Sequence, residues 1–431
     1  MTKSTLFFGR EDEQRRLQQA LTSGGFGVLT GRRRVGKTAL LRKVCDEQNG
    51  LYHQAVEGTP PQQLIHLCEE ISHRLPIFRD ITPKNWTELF RLLTREKLPR
   101  LIVWDEFPYW TRGDLTLPSI LQKWVDHELP RHKTLLLIAG SSQSMMDSQV
   151  LKREAPLYGR AIIHLQLQPL SYAWFCRAFR FRKDDPSSFT RYSLVGGIPQ
   201  YWKWLEGKSP TDQASALYFQ PSALLAQEPT QVLREEGVTG TFPKAILDLV
   251  GRGVSKLGEL AARLNTAPGN LSRPLTLLLD LGFLQRELPF GETERSSKRT
   301  LYRIEDPALA FYYGVYLPQR SRWATMNARE QSAQLDVHAS HVWETFCRQA
   351  YPGSRRYWES AAEIDFVAPL SSKAHLIAEC KWKDLSAQEE TTLLVDLKGR
   401  FARTALANKL EHVEFKIFSK KTLRTLADRC G

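Results

Sequence analysis

The stretch FGVLTGRRRVGKTALLRKV, Phe26 to Val44, decides the fold. It opens on an apolar run, Phe26 to Leu29, that reads as a buried strand. Gly31 to Thr38 follow as G-x-x-x-x-G-K-T, and ALLRKV has the look of a helix. Strand, glycine-rich loop and helix in this order are what a phosphate-binding loop needs. Gly31 and Gly36 let backbone amides close around phosphate oxygens, with Val35 and Ala39 completing the nucleotide contacts. Lys37 would sit between the β- and γ-phosphates, and Thr38 would hold Mg²⁺. The plainer alternative is a turn with a solvated lysine. Arg32, Arg33 and Arg34 fill variable positions of the loop, where they are either solvated or facing phosphate.

Downstream, RLIVWDEF supplies a second apolar strand, Leu101 to Trp104, with Asp105 and Glu106 at its carboxyl end. Ligands gather at that end of open parallel sheets. Asp105 would complete the Mg²⁺ shell and Glu106 would orient or deprotonate the attacking water. TLLLIAGSS is a third buried strand ending in Gly140, Ser141 and Ser142, where Ser141 would sense the γ-phosphate or simply turn the chain. Arg160, in LYGR, precedes another apolar strand. It would touch the γ-phosphate of its own subunit or of a neighbour's, or else form a structural salt bridge.

The 431 residues are 42% hydrophobic and 25% charged, enough for several cores of an ordinary globular chain. The formal charge of +13 favours a polyanionic partner, nucleic acid above all. Together with the motifs of the middle and carboxyl-terminal segments, that charge points to DNA. Six scattered cysteines form no CxxC pair, so neither a zinc site nor a disulfide framework is expected, and a reducing, cytoplasmic setting fits. No apolar run approaches the ~18 residues of a membrane span, and the first residues show no apolar signal region.

From Phe242 onward the pattern changes. FPKAILDLV, SKLGELAARLN and NLSRPLTLLLDLGFL read as three short helices. FLQREL and TLYRIED read as a hairpin around PFGETERSSK. Together they predict a winged helix-turn-helix. It would place Asn270, Ser272 and Arg273 near base edges or phosphates, and Arg295, Lys298 and Arg299 on phosphates. Packing against the nucleotide domain is the rival role. Phe311, Tyr312 and Tyr313 are expected in the core.

The last hundred residues carry EIDFVA and HLIAECKW, two strands joined by the turn PLSSKA. Glu379 and Lys381 share a strand face, and the hairpin brings Asp365 beside them. Two carboxylates there suit Mg²⁺ or Mn²⁺, which would activate water, and Lys381 would stabilise developing charge. Glu363 shares the face of Asp365, and Glu344 in the helical HVWETFCRQAY would add a further acid.

FFGREDEQRRL, the phosphate loop, VWDEF, GSS, LYGR and VGGIPQYW come in one order that resembles the archaeal-type P-loop ATPases of the STAND class, related to AAA-type ATPases. The resemblance implies that Gly9 and Arg10 lie near the adenine and that Pro199 marks a lid beside the nucleotide. Asp365, Glu379 and Lys381 resemble the PD-(D/E)XK nuclease motif, which such ATPases often carry at the carboxyl end. Two departures stand out: Ile364 replaces the motif's proline, and HASHVWE lacks the glycine usual before the helix acid. The expected fold is α/β: a P-loop NTPase parallel sheet with helical lid, a winged helix-turn-helix, and a restriction-endonuclease-like C-terminal domain. The boundaries fall at 1–235 (lid about 170–235), 236–320 and 321–431. The expected activity is an ATP-regulated, metal-dependent DNA nuclease or DNA-processing switch, acting alone or as a homo-oligomer. The rival is a regulatory ATPase or scaffold whose last domain only binds DNA or a protein.

Overall fold

The structure, a computed structural model, describes residues 7–141, 143–293, 299–359 and 362–430. The chain separates into two compact units, Met1–Pro169 and Leu170–Gly431.

The first unit is built on five parallel strands: β1 Gly25–Gly31, β2 Leu51–Gln54, β3 Leu101–Asp105, β4 Leu135–Ala139 and β5 Ala161–Leu167. Their spatial order is β2-β3-β4-β1-β5. β3 and β4 are buried along their whole length, which is why LIVW and LLLIA read as unbroken apolar runs. β4 lies between β1 and β3, so the loop after β1 and the acids after β3 both open at the carboxyl edge of the sheet. An aromatic core of Trp86, Trp104, Phe107 and Trp110 packs one side. Trp110 lies 4.7 Å from Trp86 and 5.2 Å from Trp104, ring centre to ring centre.

In the second unit, the helices Tyr172–Phe179 and Pro186–Val195 open the chain. The helices Thr241–Gly251, Leu257–Arg263 and Ser272–Asp280 follow, then the antiparallel pair β6 Gln285–Glu287 and β7 Leu301–Arg303. A bridge from Lys256 to Leu301 ties the pair to the helices. Leu260, Ala261, Leu271, Leu275 and Leu278 are buried where their spacing put them, and Leu257, Leu264 and Leu279 are half-buried. Phe311, Tyr312 and Tyr313 are core residues, as expected.

The long helix Ala328–Gln349 then leads into a four-stranded sheet. It comprises β8 Arg355–Glu359, β9 Ala362–Pro369, β10 Ala374–Cys380 and β11 His412–Phe418, in the order β11-β10-β9-β8. β8, β9 and β10 form an antiparallel meander, and β11 returns parallel to β10 after the helix Ala387–Ala402. The sequence pattern missed β8. Phe189 sits 5.4 Å from Trp343 and 4.7 Å from Trp382, which packs the early helices of this unit against its carboxyl-terminal sheet.

Candidate functional site

β1 ends at Gly31, whose φ of +147° suits glycine, and a Cβ there would lie 2.8 Å from the Leu167 carbonyl oxygen. Gly36 has φ +106° and directly precedes the helix Lys37–Glu47. The two glycines let the backbone wrap a concavity at a helix amino terminus, where amides and the helix dipole favour an anion. Lys37 is buried, and its Nζ donates to the carbonyl oxygens of Gly31 at 2.8 Å and Arg32 at 3.0 Å. The ammonium therefore lies across the mouth of the loop. Val35 is buried within the loop, and Ala39 is exposed in the first helical turn.

Asp105 is fully buried at the end of β3. Its Oδ2 accepts from the Thr38 hydroxyl at 2.6 Å and from the Tyr52 hydroxyl at 3.0 Å. Its Oδ1 accepts the Glu106 amide at 3.0 Å. A hydroxyl and a carboxylate in contact at a phosphate loop are an oxygen donor set that fits Mg²⁺. Burial, then the charge of Asp105, pushes the Tyr52 phenol well above its usual value, so it remains a donor. Glu106 has φ +54°, a conformation that non-glycine residues rarely adopt and that concentrates at functional sites. Its carboxylate accepts the Ser141 amide at 3.2 Å and the Ser141 hydroxyl at 2.5 Å. Ser141 thus fixes the acid expected to act on water. Ser142 lies outside the described residues.

Arg10 is buried beside the loop. Its Nη2 donates to the carbonyls of Val35 and Gln168, both at 2.9 Å, and its Nη1 pairs with Glu13 at 3.1 Å. It thereby ties the loop to the end of β5. Desolvation lowers its basicity and Glu13 partly restores it. Gly9, at φ +73°, makes the turn before it. Pro199 opens the helix Pro199–Lys203 in the second unit.

Arg160 forms the salt bridge that was the alternative to a γ-phosphate contact. β5 runs parallel to β1, with Ala161 beside Phe26 and Leu167 beside Gly31. Arg160 therefore lies at the amino end of the sheet, about 20 Å from the phosphate loop by strand rise. Its Nε donates to Asp126 at 2.7 Å and its Nη1 to the carbonyls of Pro156 and Tyr158. Within its own chain it is a structural ion pair and does not reach the γ-phosphate.

In the second unit, the β9–β10 register sets Ala378 opposite Phe366, and the Cys380 amide donates to Asp365 Oδ2 at 3.1 Å. The hairpin does bring Asp365, Glu379 and Lys381 together. Burial, then Glu379 and Glu344, raises the Asp365 carboxyl to about 6. Among the described residues no three His, Cys, Asp or Glu side chains form a metal-holding group. Glu379 is taken by Lys381 and Arg400, each at 2.6 Å. Glu344 pairs with Arg303 at 3.7 Å, and Glu363 pairs with Arg356. Arg400 escaped the sequence reading, because only its helix, not its partner, is visible in local spacing.

Ser272 and Arg273 are exposed, and Asn270 donates to the Thr266 hydroxyl at 3.0 Å. Arg295 and Lys298 lie outside the described residues. Arg299, with a side chain 38% exposed, pairs with Glu292 and donates to the Trp358 carbonyl at 2.5 Å. No helix among the described residues is long and apolar enough to cross a membrane.

Residues 7–205 match a family described as an ATPase domain predominantly from Archaea. Residues 319–393 match a family of archaeal and bacterial proteins of unknown function. The chain is similar to the uncharacterized protein MJECL04 of Methanocaldococcus jannaschii, 29% identical over 411 residues and covering 91% of each chain. Its fold is similar to that of the Walker-type ATPase paby2304 of Pyrococcus abyssi. That likeness has a TM-score of 0.54 at 18% identity and covers 72% of this chain and 96% of that one. With the phosphate loop, Asp105 and Glu106 in place at one sheet edge, residues 7–205 carry an ATPase domain of the archaeal P-loop class.

Proposed function

We propose that this ATPase governs a DNA-processing domain, and that the protein is an ATP-regulated, metal-dependent DNA nuclease. The observation that carries the first half is the contact between Thr38 and Asp105 at 2.6 Å beside Lys37. Mg²⁺ held by Thr38 and Asp105 would neutralise charge on the β- and γ-phosphate oxygens. Lys37 would turn from its loop carbonyls to phosphate. Glu106, steadied by Ser141, would orient the attacking water and accept its proton. Gly9 and Arg10 are assigned to the adenine side, and Pro199 to a lid.

The nuclease half rests on Asp365. A carboxyl raised to about 6 by burial and two neighbouring acids is the kind of site a divalent cation relieves. Helix, three-strand meander, helix and parallel strand follow the restriction-endonuclease-like order, with Lys381 next to the acids. The three helices and hairpin of 241–303 are assigned as a winged helix, with Ser272 and Arg273 exposed for DNA.

A second reading has its own support. Arg400 and Lys381 already neutralise Glu379, which suits a domain that binds DNA or a protein without cutting. Purified protein given ATP, Mg²⁺ or Mn²⁺, and duplex DNA, single strands or RNA separates the two. Cleavage of DNA that disappears in Asp365→Ala and Lys381→Ala supports the nuclease. Undiminished cleavage in those variants rejects the site. ATP turnover abolished by Lys37→Ala, with no nucleic acid cut by the intact protein, supports the switch.

A further inference from the structure

Tyr52 lies on β2, at the edge of the first sheet, and no motif points to it. Tyr52 pairs with Val103 and Gln54 with Asp105, so alternation along the strands puts Tyr52, Gln54 and Asp105 on one face. The Tyr52 hydroxyl is 3.0 Å from Asp105 Oδ2 and 3.5 Å from Gln54 Oε1. It has one proton, and the shorter contact to the carboxylate takes it. The Arg42 guanidinium sits 4.9 Å from the ring centre and so caps the ring. Arg42 is one turn beyond Thr38 in the same helix, which puts both over the same strand face.

Asp105 is thus held by three donors: Thr38 and Tyr52 on one oxygen, the Glu106 amide on the other. Two of the three come from residues the ATPase chemistry already uses. The third comes from a strand that contributes nothing else to the site. We infer that Tyr52 is a positioning residue that fixes Asp105 for the divalent cation, and so sets how strongly cation binding is coupled to nucleotide binding. The inference rests on the assignment of Thr38 and Asp105 as the residues that hold the cation.

Tyr52→Phe removes the hydroxyl and keeps the ring under Arg42. A hydrogen bond to a charged group is worth roughly tenfold or more in an equilibrium constant. The measurement is equilibrium binding of a fluorescent ATP analogue to the full chain, in EDTA and across a Mg²⁺ titration. In Tyr52→Phe the affinity in EDTA should stay within about twofold of the unsubstituted protein, while the gain conferred by Mg²⁺ falls about tenfold and its midpoint rises. On an Asp105→Asn background, Tyr52→Phe should add nothing further. An unchanged Mg²⁺ midpoint in Tyr52→Phe overturns the proposal. So does an equal loss in EDTA and in Mg²⁺, since that is what a merely structural residue would give. An effect that persists on Asp105→Asn overturns it too. If the unsubstituted protein gains no affinity from Mg²⁺, the assignment of Thr38 and Asp105 fails instead.

Discussion

Arg400 Nη2 lies 2.6 Å from Glu379 Oε2, and Lys381 Nζ lies 2.6 Å from the other oxygen of the same buried carboxylate. Arg400 also donates to the Glu363 carbonyl at 2.8 Å and pairs with Asp396 at 2.9 Å. It therefore links the helix Ala387–Ala402 to the sheet. Arg400→Ala leaves Glu379 with one partner, and that partner is 38% exposed. A buried charge stripped of a partner costs about 3 kcal/mol. Lys381→Ala leaves the same carboxylate with Arg400, the less exposed of its two cations, so its cost should be the smaller of the two. Urea unfolding followed by tryptophan fluorescence measures both. Equal losses would contradict this ranking.

The bonds from Ser141 to Glu106 make a separate prediction. Glu106→Gln keeps the shape but cannot take a proton. Turnover should fall about 10²-fold or more while ATP binding is retained. Ser141→Ala keeps the amide donor and loses the hydroxyl, so turnover should fall about tenfold. Phosphate release and nucleotide binding, measured side by side, distinguish these losses from a collapse of the site.

Arg160→Ala should leave ATP turnover within about twofold in dilute protein, since the residue is remote from the loop in its own chain. The lost pair with Asp126, part-exposed on both sides, should cost about 1 kcal/mol or less. A large loss of turnover that appears only as protein concentration rises would instead place Arg160 in a neighbouring subunit's site.

The Asp365 carboxyl titrates near 6 in the folded chain against a usual 3.8. Below about 4 it is protonated in both folded and unfolded chains and contributes no difference. Between about 4 and 6 only the unfolded chain ionises it. Stability should therefore fall as pH rises through this window, by about 3 kcal/mol in all. Asp365→Asn should remove that slope and be the more stable protein at pH 7.5. If the acids hold a cation, Mn²⁺ should restore stability to the unsubstituted protein at pH 7.5 and not to Asp365→Asn. Parallel pH slopes in the two proteins would dismiss the assignment.

The phosphate loop was legible because its chemistry is packed into consecutive residues, Gly31 to Thr38, between a strand and a helix. Asp105 and Glu106 were legible because an apolar strand delivers them to its own end. Arg160 stayed open between a phosphate contact and a salt bridge because its order in the chain says nothing of which end of a parallel strand it occupies; only pairing with β1 does. Tyr52 was hidden because its partner lies 53 residues away. β8 was hidden because RRYWE buries only Tyr357, so no apolar alternation marks it. The pairing of Asp365 with Glu379 was readable from the hairpin, but the cations that cover Glu379 and Glu344 come from other elements.

β1, which delivers the phosphate loop, has as neighbours only β4 and β5, the last two strands of its sheet to be synthesised. A nascent chain that has just emerged through Glu106 already contains Gly31, Lys37, Thr38 and both acids, yet no strand flanks the one that must hold them. The nucleotide can be gripped only after Leu167 has left the ribosome, and such distant pairing is slow to form. Truncation between Ser141 and β5 should yield a polypeptide that carries the phosphate loop, both acids and Ser141 and has no capacity to bind.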